Sequence, residues 1–153
     1  MRKQLFALAA LALIACSSEP DSPEAAVRAT LAAVEAAATE RDVGRFRGQI
    51  SDAYADARHN DKQSLVQLAG FHLLRNQAVY TFSSIQTIDT GKPGRAEVQA
   101  LVALAGRPIP DAEALASLRA DLFRFDVQLQ EEAPGVWRVV AADWKPATLS
   151  DFR

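Results

Sequence analysis

Apolar residues recur at the spacing of an α-helix in three segments of the first half of the chain. One segment predicts a helix over about residues 23–41 with Ser22 as its N-cap, and another predicts a helix over about residues 61–76 with Asp61 as its cap. A shorter helix is predicted after Asp42. The apolar residues at helical spacing are, in the three predicted helices in chain order, Val27, Leu31, Val34 and Ala38; Val43, Phe46 and Ile50; and Leu65, Leu68, Ala69 and Leu73.

The second half of the chain changes to the alternating pattern of β-strands. The clearest strand covers residues 123–130, where apolar residues alternate with charged residues and glutamines. Ile85 and Ile88 break strict alternation, which indicates a bulge near residues 83–84. One helical turn is expected within residues 112–117. Helices followed by strands that short turns connect predict an α+β domain, with N-terminal helices packed in the concave face of a curved antiparallel sheet.

Residues 1–15 have the pattern of a bacterial secretory signal. Two basic residues precede an apolar run of about eleven residues, which is too short to span a bilayer. The run ends at the only cysteine, and the sequence LIACS at residues 13–17 resembles the lipobox of bacterial lipoproteins. The resemblance implies cleavage before Cys16 and a lipid on its sulfur. Because Ser17 rather than aspartate follows, it also implies attachment to the outer membrane of a Gram-negative bacterium, facing the periplasm.

Removal of the signal defines the domain organisation and the charge of the mature protein. Residues 16–22 are polar and contain proline, which predicts a lipidated cysteine and a short tether. Residues 23–153 are long enough to form one domain with its own core. Loss of Arg2 and Lys3 changes the formal net charge from −2 to −4. A mildly acidic domain without a basic cluster argues against nucleic acid as a partner.

The order of elements and the last strand together resemble a known superfamily. The ending GVWRVVAADW at residues 135–144 and the helix-then-strand order resemble the nuclear transport factor two superfamily, also called cystatin-like or ketosteroid-isomerase-like, over about residues 23–146. Within it the chain is similar to small proteobacterial lipoproteins of uncharacterised function. The resemblance implies a conical cavity between the sheet and the helices. Members include isomerases, dehydratases and cyclases as well as binding and dimerisation modules, so the fold leaves the activity open.

Four side chains are candidates for lining such a cavity: His72, Tyr54, Tyr80 and Phe125. On a helical wheel His72 falls between Leu65 and Leu68, inside the apolar arc. It is therefore either a general base in the cavity or a core histidine bonded to a backbone carbonyl, and the second interpretation is the simpler one. No assembled catalytic set is recognised, and no cofactor is predicted.

Residues 51–61 are rich in groups that can bind divalent metal ions. Asp52, Asp56, His59 and Asp61 fall within this segment, but their spacing matches neither a calcium loop nor a zinc site. We therefore predict no metal and interpret the segment as a polar loop that ends in a helix cap. In this interpretation the ring of Tyr54 is buried, and the Asp56 carboxylate bonds local amides.

Three functional hypotheses follow from these features. The leading one is a lipid-anchored periplasmic domain that binds a small apolar ligand or a partner protein of the envelope. The second is a cavity enzyme (an isomerase, dehydratase or hydrolase) that uses His72 or an aspartate as its general base. The third is a structural protein that forms a homodimer through the outer face of its sheet. In all three the membrane is a partner through the lipid on Cys16.

Overall fold

The fold is known from a computed structural model, which describes residues 22–58 and 60–153. Within them, three α-helices precede a four-stranded antiparallel sheet with strand order β1-β2-β3-β4. The predicted α+β class is therefore confirmed. The helices are α1 (Pro23–Thr39), α2 (Val43–Gly48) and α3 (Lys62–Arg75); the strands are β1 (Tyr80–Asp89), β2 (Arg95–Ala105), β3 (Ala120–Ala133) and β4 (Val136–Pro146). Two 3₁₀ helices, Glu113–Ser117 and Leu149–Phe152, follow β2 and β4.

The predicted signal peptide, Cys16 and the tether up to residue 21 lie outside the described residues. No helix within residues 22–58 and 60–153 is long and apolar enough to cross a membrane.

Each α-helix begins where a side chain caps it. The Oγ of Ser22 accepts a hydrogen bond from the Ala25 amide at 3.1 Å, and Asp61 accepts one from the Ser64 amide at 2.8 Å. Asp42 caps α2 in the same way. The short second helix is confirmed, but it ends at Gly48. The prediction that Ile50 lies on it is wrong, because Ile50 forms a parallel bridge with Val139 at the edge of the sheet.

The bulge in β1 lies a few residues after its predicted position. Ile85 is opposite Ala100 and Ile88 is opposite Val98, so the extra residue lies between Ile85 and Thr87 rather than at residues 83–84. This position turns both isoleucines towards the helices, where each packs against the core. Burial explains this position. Under strict alternation Ile85 and Ile88 would lie on opposite faces of the sheet, and the one extra residue between them places both on the apolar inner face.

The inner face of the sheet, which faces the helices, carries the core. Its centre is a cluster of buried side chains from the helices, the loop after α2 and β2 to β4: Ala26, Val27, Ile50, Tyr54, Leu65, Ala96, Val98, Leu129, Trp137 and Val139. Trp137 is only 2 % exposed. The core therefore fills the space between the sheet and the helices at this end of the fold.

α1 crosses the inner face from β4 to β1. In the middle of α1, the Thr30 hydroxyl lies 3.5 Å from the carbonyl oxygen of Trp137. At the end of α1, the hydroxyl groups of Thr39 and Thr81 form a hydrogen bond of 2.9 Å. The Glu35 carboxylate accepts hydrogen bonds from the hydroxyls of Thr81 and Ser83. These contacts hold the helix diagonally across the curved sheet.

Candidate functional site

The loop between α2 and α3 is organised by Tyr54 and Asp56. The Tyr54 ring is 3 % exposed, and its hydroxyl donates a 2.8 Å hydrogen bond to Asp56. The Asp56 carboxylate accepts five hydrogen bonds altogether, the others coming from the Arg58 amide and from the amide and side chain of Asn60. The interpretation of this pair as a loop anchor is confirmed.

The pKa values of the pair follow from this geometry. Burial and the neighbouring Asp56 raise the pKa of Tyr54, so the phenol stays protonated at any physiological pH. Burial opposes ionisation of Asp56, but the hydrogen bonds from Asn60, Tyr54 and Arg58 outweigh it and lower its pKa. A carboxylate with a lowered pKa and saturated oxygens is a weak general base. The pair therefore supports loop structure rather than proton transfer.

The other candidate carboxylates of the loop are also engaged. Asp52 forms a 2.7 Å ion pair with Lys62, which lowers its pKa, and Asp61 caps α3. His59 lies outside the described residues. Within residues 22–58 and 60–153, no group of three or more His, Cys, Asp or Glu side chains is arranged to hold a metal ion.

Two of the four predicted cavity residues lie elsewhere. His72 is on the exposed side of α3, where its ring meets Phe71 edge-on at 5.7 Å. The buried side of α3 is formed instead by Leu65, Val66, Gly70 and Leu73. Tyr80 is opposite Ala105 and precedes the inward-facing Thr81, so it belongs to the outer face of the sheet. The expectation that His72 and Tyr80 line an interior cavity is therefore wrong.

Phe125 does lie on the inner face, in a row of aromatic rings. Its ring stacks on Trp144 at 6.0 Å and meets Phe123 edge-on at 6.2 Å. The guanidinium of Arg58 covers Trp144 at 4.0 Å from the ring centroid. All three rings are half-buried. Tyr54, the remaining candidate, is part of the filled core.

A surface recess of about 760 Å³ lies across the outer face of the sheet. Cross-strand pairing brings its polar side chains together: Asp89 is opposite Glu97, and Gln99 is opposite Asp126, which is in turn opposite Asp143. Asp56 and its neighbours Ala55 and Ala57 form one wall. We call this region the outer-face recess; its remaining lining residues are Thr87, Val98, Val127, Gln128, Ala141 and Ala142.

Two of the four strand carboxylates in the recess, Asp143 and Glu97, have a cation nearby, whereas Asp89 and Asp126 form no ion pair among the described residues. Asp143 pairs with Arg58 at 2.8 Å, and Glu97 lies 3.8 Å from Lys92. Asp126 stands between Gln99 and Asp143 and is exposed. The recess is therefore an open surface whose charged lining residues are all acidic, which favours cationic groups.

A second recess, of about 520 Å³, lies between the two 3₁₀ helices. Its walls are Ala112, Ala116, Leu149 and Phe152, with Glu113 and Arg153 at its rim. The second 3₁₀ helix is held against the outer face of the sheet, because Arg124 pairs with Asp151 at 2.8 Å and Phe152 lies 6.5 Å from Phe82.

Sequence reasoning identified the loop anchor and the inward aromatic residue, but it missed the outer-face recess. The alternation in β3 marks Asp126 and Gln128 as outward-facing. The local sequence does not predict which residues of β1, β2 and β4 lie beside them, because cross-strand register depends on pairing between distant segments.

Comparison with known proteins shows the fold. A protein from the NTF2-like family of Streptomyces avermitilis, a proposed dehydratase, superimposes with a TM-score of 0.65 at 13% identity over 84% of this chain and 99% of that chain. A Nostoc punctiforme protein of unknown function with a cystatin-like fold gives 0.62 at 14% identity, over 81% of this chain and 90% of that chain.

Bd1075 of Bdellovibrio bacteriovorus gives a TM-score of 0.63 at 8% identity, and the match covers 80% of this chain but only 40% of that chain. No protein-family model and no curated protein match the chain. At these identities the comparisons establish a cystatin-like, NTF2-like fold, as the element order predicted, and leave the activity open.

Proposed function

We propose that this chain is a lipid-anchored domain of the Gram-negative envelope, attached through Cys16 and facing the periplasm from the outer membrane. In this proposal it acts by binding a partner protein rather than by catalysis. The observation that carries the proposal is the outer-face recess, in which exposed carboxylates from all four strands line one open surface. The partner we infer is an envelope protein that presents a basic segment.

The shape and charge of the recess support a protein partner. An opening across four strands admits an extended segment or a loop, whereas most enclosed small-molecule sites bury the greater part of their ligand. Exposed Glu97 and Asp126 attract lysine and arginine side chains and increase the rate of association at low salt. The same charges disfavour a homodimer in which the recesses of the two copies face each other, because like charges would lie close together.

The binding proposal is tested by photo-cross-linking in cells. A photoreactive residue at Gln99, in the centre of the recess, is expected to capture one protein. The same residue at Ala32, which is exposed on α1, is expected to capture none. The variant Glu97→Gln/Asp126→Asn should reduce the Gln99 cross-link severalfold.

Glu24→Gln/Glu113→Gln is the matched control, because it removes two negative charges outside the outer-face recess and should keep the cross-link. Capture of a second copy of this chain would favour the homodimer hypothesis instead. Equal loss in both charge variants would contradict a role for the recess.

The anchoring proposal has its own test. With Cys16 intact, the protein should incorporate labelled palmitate and should fractionate with outer membranes. Cys16→Ser should abolish labelling, because no other thiol is present in the chain. Labelling that persists in Cys16→Ser, or a wild-type protein without label, would refute lipidation at this residue.

A second candidate function is the binding of a small apolar ligand against the inner face. The observation in its favour is the row Phe123, Phe125 and Trp144, whose rings are half-buried rather than enclosed. Native mass spectrometry of the protein extracted from its own envelope tests it. Retained ligand mass that disappears in Phe125→Ala is expected, and a consistently empty protein would count against it.

A further inference from the structure

The exposed side of α3 carries most of the large apolar side chains that are exposed to solvent. Of the five such residues in the part of the chain that the structure describes, Leu68, Phe71 and Leu74 are on this helix, with exposures of 38 %, 59 % and 64 %. The other two, Val136 and Leu149, lie apart from each other in the fold, at 37 % each. Leu68, Phe71 and Leu74 are spaced three residues apart, so they form one patch, the α3 patch.

The charged side chains that α3 itself contributes are basic. Lys62–Arg75 contains no aspartate or glutamate, although the mature chain is acidic overall. Arg75 lies over the Phe71 ring at 5.6 Å, and His72 meets the same ring edge-on. Arg41 donates a 2.7 Å hydrogen bond to the Asn76 carbonyl and adds a second guanidinium at the end of the helix. Phenylalanine and leucine beside arginine are among the residue types that helices in a membrane interface contain.

The length of the predicted tether limits where the patch can be. Six residues separate Cys16 from Pro23, and the seven residue-to-residue steps between them span at most about 25 Å when fully extended. α1, with 17 residues, is also about 25 Å long, and the segment just after it meets the segment just after α3 through the Arg41–Asn76 contact. A tether extended along α1 therefore allows the lipid on Cys16 to lie level with the last turns of α3.

We infer that the α3 patch rests on the surface of an anionic phospholipid bilayer, so that the domain lies on the membrane with a fixed orientation. The inference rests on the proposed anchoring through Cys16. Phe71 and Leu74 enter the interface between headgroups and acyl chains, while Arg75 and Arg41 extend to lipid phosphates. The outer-face recess is on the opposite side of the sheet from the helices, so this orientation leaves it open to the periplasm.

Hydrogen exchange of the mature chain coupled to vesicles tests the inference. Cys16 is the only cysteine, so a maleimide-bearing lipid attaches the full mature chain at the natural position. The anchor is thus supplied chemically, and the result does not depend on whether cells lipidate Cys16. On vesicles containing phosphatidylglycerol, amides of α3 should exchange roughly tenfold more slowly than in the uncoupled chain. This factor is expected when the tether holds the α3 patch at an effective concentration about ten times its Kd for the membrane surface. On phosphatidylcholine vesicles the slowing should be clearly smaller.

Two double variants separate the patch from exposed apolar residues in general. Phe71→Gln/Leu74→Gln keeps a good helix propensity and should abolish the slowing, whereas Val136→Thr/Leu149→Gln should keep it. Unchanged thermal midpoints in both variants confirm that the fold is intact. Unchanged α3 exchange on coupling, equal slowing on both lipid compositions, or slowing that survives Phe71→Gln/Leu74→Gln would each overturn the inference.

Discussion

Replacement of Trp137 by phenylalanine is expected to change the free energy of unfolding by no more than about 1 kcal/mol. This is unusual for a tryptophan that is 2 % exposed and lies in the centre of the core. The reason is its indole nitrogen. Among the described residues, Nε1 of Trp137 is the one buried side-chain polar atom without a hydrogen-bond partner. The variant removes both a favourable ring and an unfavourable polar group.

The magnitudes of these two effects are similar. Loss of the second ring leaves a cavity of roughly 40 Å³, which at about 24 cal/mol per Å³ costs about 1 kcal/mol. Loss of buried apolar surface costs about a further 1 kcal/mol. Burial of an unsatisfied donor costs about 1–3 kcal/mol, and phenylalanine has no such donor. The two contributions therefore nearly cancel.

Urea unfolding of the mature chain, followed by far-UV circular dichroism, measures the difference. The comparison requires equal m-values in wild type and variant, so that the midpoint reports stability alone. Leu129→Ala is the control, because Leu129 is 1 % exposed in the same cluster and has no polar atom. It should cost about 2–5 kcal/mol. A loss above about 3 kcal/mol for Trp137→Phe would refute the reasoning and would mean that the indole N–H is hydrogen-bonded in solution.

Two further predictions concern the loop anchor and the turns. The pKa of Asp56 is lower in the folded protein than in the unfolded chain. Ionised Asp56 therefore stabilises the fold at pH values above the ordinary carboxyl pKa near 4, and this stabilisation is lost as the pH falls through the pKa of Asp56 in the folded protein. Asp56→Asn should therefore reduce stability at pH 7 and weaken the fall in stability between pH 6 and pH 3; an unchanged acid dependence in urea titrations would contradict this. Gly135→Ala should cost about 1 kcal/mol because Gly135 has φ +71°, whereas Gly48→Ala, where a Cβ meets open space, should be neutral or slightly stabilising in thermal unfolding.

The elements that were predicted well are those that neighbouring residues determine. Helix starts at Ser22, Asp42 and Asp61 were predicted correctly because a cap needs only a short polar side chain and an amide three residues away. The alternation of β3 and the anchoring of the loop by Asp56 depend equally on local spacing.

Predictions failed where a distant segment decides which side of an element is buried. The wheel that placed His72 inside the apolar arc of α3 counted Leu68 as buried, but Leu68 is 38 % exposed. The buried side is turned towards Gly70, where a Cβ would lie 3.6 Å from Val43 of α2. Several apolar positions surround α3, and its packing against α2 and against the core selects among them.

The chain by itself determined the candidate export signal and Cys16, the three helices, the alternating strands and the α+β class, because each depends on residue types at short spacing. The tertiary structure alone decided the position of the β1 bulge, the exposure of Phe71 and His72, and the grouping of Glu97, Asp126 and Asp143 in the outer-face recess. Register and helix rotation join residues that are far apart in sequence. Their energies depend on the burial of both partners, which no single segment of the chain specifies.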